Sequence, residues 1–118
     1  MAIVDQAQVR DRLAKTPNLT LPPSITPALL EDYVRGASAI VLKRAGYSAP
    51  PAPGSLERDA LEEACLALVV NSVRKDLFRS GDMAEQLRRE RQDILREIED
   101  IAQEASDGNP DVDYTEEV

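Results

Sequence analysis

The chain has 118 residues, which is long enough for one domain with a single modest core. Its net charge of -8 argues against general affinity for nucleic acid phosphates, because that affinity comes from neutralising phosphates with Lys and Arg. The absence of His and the presence of one Cys exclude the commonest general base, a structural zinc site built on Cys and His, and any internal disulfide.

The first predicted helix is short and has a clear start. Asp5 can cap it, with Gln8 three residues later as the partner in a capping box. Val9 and Leu13 lie four residues apart on one face, and Pro17 stops the pattern. At about ten residues such a helix is not stable alone, so we expect it to pack against the rest of the chain.

A second helix is predicted after an extended, proline-containing connection. Thr26 caps it, Pro27 occupies its first position, and Gly46 ends it. Its apolar residues recur at helical spacing: Leu30, Val34, Ala37 and Val41, with Tyr33 and Ile40 broadening the stripe. The following segment, YSAPPAPG, has three prolines in eight residues and is interpreted as a stiff spacer, although proline-rich ligands of recognition modules have a similar composition.

The third predicted helix is the longest and most apolar helix of the chain. It begins at Ser55 and ends near Arg79, before a Ser-Gly pair. Its broad apolar face consists of Leu61, Ala64, Cys65, Leu68 and Val69. A helix that is apolar almost all round is central in a fold, and Cys65 is therefore interpreted as a small buried hydrophobe.

The fourth predicted helix follows Gly81 and carries a narrow apolar stripe on a highly charged surface. Asp82, with Glu85 three residues later, is predicted to cap it. The stripe consists of Leu87, Ile94, Ile98, Ile101 and Ala105. Such a stripe needs a partner, and one hypothesis is that Leu87, Ile94, Ile98 and Ile101 pack between subunits of an oligomer.

The basic residues of this helix could suggest contacts to nucleic acid. Arg88, Arg89 and Arg91 are interleaved with acidic residues at helical spacing, as in the pair of Glu85 with Arg89. The acidic residues of this stretch are Glu85, Glu90, Asp93 and Glu97. We therefore expect a solvated face whose charges pair with one another.

The segment 106–118 has five acidic residues and no basic one. It keeps a few apolar residues and has the composition of an arm that folds on binding, although a solubilising end without a partner fits equally well. Its alternating oxygen ligands superficially resemble a calcium loop, but Pro110 interrupts the pattern. The sequence predicts no catalytic residue, no cofactor-binding residue and no metal site.

Neither a secretory signal nor a membrane span is predicted. The first ten residues, MAIVDQAQVR, lack a basic start followed by an apolar stretch, and no apolar run reaches the length of about 18 residues that a spanning helix needs. A soluble, intracellular protein without a membrane partner is the expectation.

The order of these elements resembles the head-tail connector (adaptor) proteins of tailed bacteriophages. The resemblance covers about residues 3–105 and is carried best by two pieces, ALLEDYVRGASAIV and ILREIEDIA. It implies an all-α fold: a small bundle of about four helices with a long central helix over residues 1–105, followed by an extended acidic arm over residues 106–118.

The functional implication of the resemblance is a structural, non-enzymatic role in the virion. Such proteins assemble in the host cytoplasm as a ring of about twelve copies that binds the portal protein at the head-tail interface. The ring extends the channel through which DNA passes without specific contacts, and it carries the next neck or tail-completion protein. The arm is then a hypothetical portal-docking segment, with Asp111, Val112, Asp113, Tyr114 and Val118 as its candidate contacts.

Two other classes of protein fit the same sequence. One is a small oligomeric DNA-packaging or regulatory protein, although a helix-turn-helix with a basic recognition helix is not recognisable. The other is a helical partner-binding protein without catalytic activity, in which the last helix lies in a groove of its target.

Overall fold

The computed structural model describes residues 2–16, 19, 25–78 and 81–107, with side chains as far as Gln103. Four helices make up this part of the chain: α1 (Gln6–Ala14), α2 (Pro27–Ala45), α3 (Leu56–Leu77) and α4 (Gly81–Asp107). No strand occurs within the described ranges. The predicted all-α bundle of four helices is therefore confirmed. Helix α4 continues through Ser106 and Asp107, the first two residues of the proposed arm 106–118, and the rest of that arm lies outside the described residues.

The helix starts follow the local chemistry that the sequence predicts. The Asp5 side chain accepts a hydrogen bond from the backbone N–H of Gln8 at 2.8 Å, and the Gln8 side chain accepts one from the backbone N–H of Asp5 at 2.9 Å. Thr26 and Ser55 cap α2 and α3 through their hydroxyl oxygens, at 3.2 and 3.1 Å. Each cap satisfies a backbone donor that has no partner inside its helix.

Two helix boundaries differ slightly from the prediction. Helix α4 begins at Gly81, so Asp82 lies in its first turn instead of at the cap, where its charge still favours the positive end of the helix dipole. Gly81 has a φ of 77°, a conformation that residues with a side chain rarely adopt. Helix α3 ends at Leu77, two residues before the predicted end. With 22 residues it is shorter than the 27-residue α4, so the prediction that it is the longest helix is wrong.

The long helices alternate in direction. Tyr33 near the start of α2 contacts Asp76 near the end of α3, so these two helices are antiparallel. Asn71 of α3 contacts Leu87 of α4 across the next antiparallel pair. Helices α2 and α4 consequently run parallel, and both flank α3.

Helix α1 crosses the first half of α3 and also contacts α2. Arg12 of α1 forms an ion pair with Glu63 of α3 at 2.7 Å. The Arg12 hydrogen bond is the main reason that the pKa of Glu63 lies below its usual value. Gln6 donates to Glu31 of α2 at 3.1 Å. These contacts provide the packing that a nine-residue helix needs in order to persist.

The core is aliphatic and contains residues from all four helices. Its buried apolar members are Ile3, Val4, Val9, Leu13, Leu30, Val34, Ala37, Val41, Leu42, Leu61, Ala64, Cys65, Leu66, Leu68, Val69, Val73, Ile94 and Ile98. Cys65 is fully buried, as predicted, and this burial raises the pKa of its thiol. Its sulfur lies 3.6 Å from the hydroxyl of Ser38, which also accepts a hydrogen bond from the backbone N–H of Ile3 at 3.0 Å.

The apolar stripe of α4 is covered within the same chain. Leu87, Ile94 and Ile98 are only 1%, 7% and 0% exposed, because α4 packs on both α3 and α2. Ile101 is partly buried against the same core. The partner that the stripe requires is thus the chain's own bundle, and three of the four residues assigned to subunit packing have almost no surface to offer a neighbouring copy.

A candidate docking groove

A long groove runs along the outer surface of the three long helices. It consists of three adjoining depressions of about 530, 330 and 550 Å³. Arg91 of α4 lines all three, and Lys75 and Asp76 of α3 line two of them. We call this surface the central groove and define it by Tyr33, Ile40, Lys43, Lys75, Asp76, Arg91 and Leu95.

The groove gathers most of the cations that lack an ionic partner. Thirteen Lys and Arg residues lie in the described ranges, and nine of them form ion pairs there. The remaining four are Arg10, Lys43, Lys75 and Arg91. Three of these four line the central groove and form no ion pair among the described residues. The depressions are also lined by three carboxylates, Asp32, Asp76 and Glu85, which contact Arg35, Tyr33 and Arg88, respectively.

Arg91 is the central cation because of its place on α4. It lies between the buried stripe and the solvated face, and its side chain is partly buried. The positions three and four residues away hold Leu87, Arg88, Ile94 and Leu95, so no acidic side chain is within helical reach. Arg91 therefore faces the groove without an acidic neighbour three or four residues away on its own helix.

The neighbouring arginines behave as the sequence predicts. Arg88 and Arg89 both form ion pairs with Glu85, at 2.6 and 3.3 Å. The hydrogen bond from Arg88 is the main reason that the pKa of Glu85 lies below its usual value. The expectation of a self-paired face is confirmed for these two residues, whereas Arg91 lacks the ion pair that the same expectation assigned to it.

Apolar side chains lie at both ends of the groove. At the end formed by the α3–α4 connection, Phe78 is 38% exposed and lines the surface beside Ala84. At the other end, Ile40 of α2 and Leu95 of α4 lie on either side of Arg91. The groove can therefore accept a ligand that combines negative charge with apolar groups.

The position of one wall is set by a buried polar contact between α3 and α4. Asn71 is fully buried and its Nδ2 donates to the backbone carbonyl of Leu87 at 2.8 Å and to Glu90 Oε1 at 3.1 Å. Glu90 also lies 3.6 Å from Arg74 of α3. These contacts fix the position of α4 along α3, and therefore the position of Arg91 relative to Lys75.

The opposite wall is held by a hydrogen bond between α2 and α3. The Tyr33 hydroxyl donates to the carboxylate of Asp76 at the middle of the groove. Farther along, Arg44 of α2 forms an ion pair with Glu99 of α4 at 2.8 Å. The groove is therefore bounded by cross-helix polar contacts on both sides and has a defined width.

Other kinds of site are not found in the described ranges. No group of three or more His, Cys, Asp or Glu side chains there could hold a metal ion. None of the helices in these ranges is long and apolar enough to cross a membrane.

The two sets of residues singled out from the sequence have different outcomes. In the subunit-packing set, Leu87, Ile94 and Ile98 are buried within the bundle and Ile101 is partly buried. The candidate portal contacts, at positions 111–114 and 118, lie outside the described residues. Sequence reasoning did not identify Lys43 and Lys75, although a usable signal exists: neither has an acidic residue three or four positions away.

Comparisons with known proteins do not assign the chain to a family. No protein-family model, no curated protein and no solved structure matches it.

Proposed function

We propose that this chain is a structural protein of the phage neck, a head-tail connector that forms a ring on the portal and links the DNA-filled head to the tail. In this role it binds copies of itself, the portal protein and the next neck or tail-completion protein, and it is part of the virion. It acts by docking and carries out no catalysis.

The observation that carries the proposal is the packing of the two stretches that resemble connectors. ALLEDYVRGASAIV forms most of α2, and ILREIEDIA forms the second half of α4. Helices α2 and α4 contact each other, and Val34, Val41, Ile94 and Ile98 belong to one core cluster. The resemblance is therefore concentrated in one packed pair of helices, which supports a shared structural reason for both stretches.

The central groove supports a docking role independently. It presents three unpaired cations and apolar side chains at both ends, which is the composition of a surface that receives an acidic, partly apolar segment of a protein. A groove of this kind on a small helical bundle is more readily explained by assembly than by catalysis. It also supports the alternative of a helical partner-binding protein outside a virion, which the following experiment separates from the connector.

Cosedimentation with the portal ring encoded by the same genome tests the proposal. The full chain should bind saturably, at about one copy per portal subunit or in a ring of fixed stoichiometry. The double variant Asp111→Asn with Asp113→Asn should bind more weakly if the arm contacts the portal. A matched control is Glu97→Gln with Asp100→Asn, which makes the same change in net charge at exposed positions of α4 that form no ion pair.

The possible results separate the three classes of protein. Saturable binding of the full chain and of the control variant supports the connector. Retained binding by the Asp111 and Asp113 variant would contradict the role of the arm alone. Absence of binding by the full chain would contradict the connector, and a gel shift with duplex DNA at low salt would then identify a DNA-binding protein.

A further inference from the structure

We propose that the central groove is the binding site for the acidic segment 111–118 of the same chain. The segment lies across Lys43, Arg91 and Lys75 and covers the apolar side chains at the ends of the groove. This inference concerns the free protein and does not require that the proposed neck function is correct.

The cations that lack an ion pair are concentrated on one surface of the protein. The protein has 22 acidic and 14 basic residues, so most cations should find a carboxylate nearby. Nine of the thirteen described cations do so, yet three of the four exceptions lie in one groove. Unpaired cations concentrated at one surface of an acidic protein indicate an acidic ligand for that surface.

The segment 111–118 combines negative charge with apolar side chains. Its sequence, DVDYTEEV, contains four carboxylates, no cation and three apolar or aromatic residues: Val112, Tyr114 and Val118. The groove offers the complementary set, with three cations between apolar ends near Leu95 and Phe78. Charge and apolar surface are thus matched within one chain.

The segment after α4 is long enough to reach the central groove. Arg91 and Asp107 are sixteen residues apart on α4, which corresponds to about 24 Å along the helix axis. The eleven residues 108–118 can span up to about 36 Å when extended. A chain that turns back after Asp107 can therefore bring Tyr114 to the level of Leu95, about 18 Å from Asp107 along the helix axis, and Glu116 and Glu117 to the level of Arg91.

An intramolecular contact is favoured over an exchange between copies. Exposed ion pairs are individually weak, so a segment with this many charges would bind poorly from a separate molecule at physiological ionic strength. A short connection gives an effective concentration in the millimolar range, which is enough to populate a weak contact. If the proposed neck function holds, the same contact keeps the arm on its own protomer until the portal competes for it.

Paramagnetic relaxation in the full chain tests the proposal directly. Thr115→Cys introduces a labelling site within the segment, and the native Cys65 is fully buried and does not compete for a spin label under native conditions. With the label attached, the backbone amide signals of Ile40, Arg91 and Leu95 should lose intensity relative to the chemically reduced label. The backbone amide signals of α1 should keep their intensity.

A mixing experiment distinguishes the intramolecular contact from exchange. Isotope-labelled chain without a spin label is combined with unlabelled chain that carries one at Thr115→Cys. Intact signals for the groove residues are expected in this mixture. If the groove signals lose as much intensity in the mixture as in the isotope-labelled chain that itself carries the spin label, the intramolecular contact is overturned. The groove would then bind the segment of a neighbouring copy.

Charge-matched variants identify the groove as the site. Lys75→Gln and Arg91→Gln should each restore signal intensity at Ile40 and Leu95, whereas Arg10→Gln should not. Arg10 is the appropriate control because it is exposed, forms no ion pair among the described residues and does not line the groove. The amide spectrum of each variant without spin label verifies that the bundle remains folded.

Salt provides a final criterion. Raising the ionic strength from about 0.01 M to about 1 M shortens the screening length from about 30 Å to about 3 Å, so the intensity loss should fall steeply. Absence of any loss at low salt would overturn the proposal. Equal loss in the wild-type background and in both groove variants would also overturn it, because the segment would then lie near α2 and α4 without using these cations.

Discussion

Replacing Asn71 by Asp should reveal how strongly one buried amide holds α3 to α4. The substitution preserves the shape of the side chain but removes both of its N–H donors. The backbone carbonyl of Leu87 and the carboxylate of Glu90 would then face an introduced carboxylate at the positions where they now accept hydrogen bonds at 2.8 and 3.1 Å. Asn71 is fully buried, so solvent cannot compensate.

The expected loss in the free energy of unfolding is large. A hydrogen bond to a neutral carbonyl contributes about 1 kcal/mol, and one to a charged group contributes about 1.5–3 kcal/mol. The nearby cation, Arg74, already lies 3.6 Å from Glu90, so the introduced buried charge is poorly compensated, which adds a penalty and brings the total to about 3–5 kcal/mol. This is a large part of the 5–15 kcal/mol that is typical of a folded domain.

Urea unfolding followed by circular dichroism measures this loss. With a denaturant dependence of about 1–3 kcal/mol per molar urea, the unfolding midpoint should fall by about 1–5 M at pH 7. The deficit should shrink as the pH is lowered. Burial beside Glu90 raises the folded-state pKa of the introduced carboxyl above its unfolded value, so the folded state binds the proton more tightly and the variant loses stability as pH rises.

Asn71→Leu is the matched control for burial and volume. It also removes both hydrogen bonds, but it introduces no charge and eliminates Oδ1, which is buried without a hydrogen-bond partner among the described residues. Its stability should lie within about 1 kcal/mol of the wild type, because these effects oppose each other. Equal stability of Asn71→Asp and wild type at pH 7, or a deficit that does not change between pH 7 and pH 5, would refute the reasoning.

Three further predictions concern the core and one surface ion pair. Ile98→Ala should lower the free energy of unfolding by about 2–5 kcal/mol, whereas Leu56→Ala, at a position that is 83% exposed, should change it by less than about 0.5 kcal/mol; similar effects in urea titrations would contradict the burial of the α4 stripe. The thiol of Cys65 should react with an aromatic disulfide reagent far more slowly in the native protein than in urea at pH 8, because burial raises its pKa and excludes the reagent. Equal reaction rates in the two conditions would show that α2 and α3 separate freely in the native protein. Glu63→Gln should lower the free energy of unfolding by about 0.2–1 kcal/mol at pH 7, since the ion pair with Arg12 is partly exposed to solvent. In urea titrations this difference should vanish as the pH falls below about 4.3 and through the lowered pKa of Glu63. A difference that persists at pH 2 would not come from this ion pair.

Much of the fold could be predicted from local sequence patterns. Asp5 and Thr26 were identified as caps because a capping side chain bonds to a backbone group only three residues away, and Ser55, predicted as the start of α3, caps that helix in the same way. The α4 boundary was missed by one residue, since Gly81 with its positive φ joins the helix instead of preceding it. The partner of the α4 stripe was not predictable in the same way, because an apolar stripe packs equally well on the same chain or on another copy.

The helices, the caps of α1 and α2 and the central place of α3 follow from local sequence, because these features depend on residues within one or two turns of each other. Which cations find partners depends on how the helices pack. Arg12, Arg44, Lys75 and Arg91 all lack an acidic residue three or four positions away, yet the first two reach carboxylates on other helices and the last two do not. The packing of α2, α3 and α4 sets those distances between residues that are far apart in sequence, and it leaves Lys43, Lys75 and Arg91 of the groove without an ion pair among the described residues.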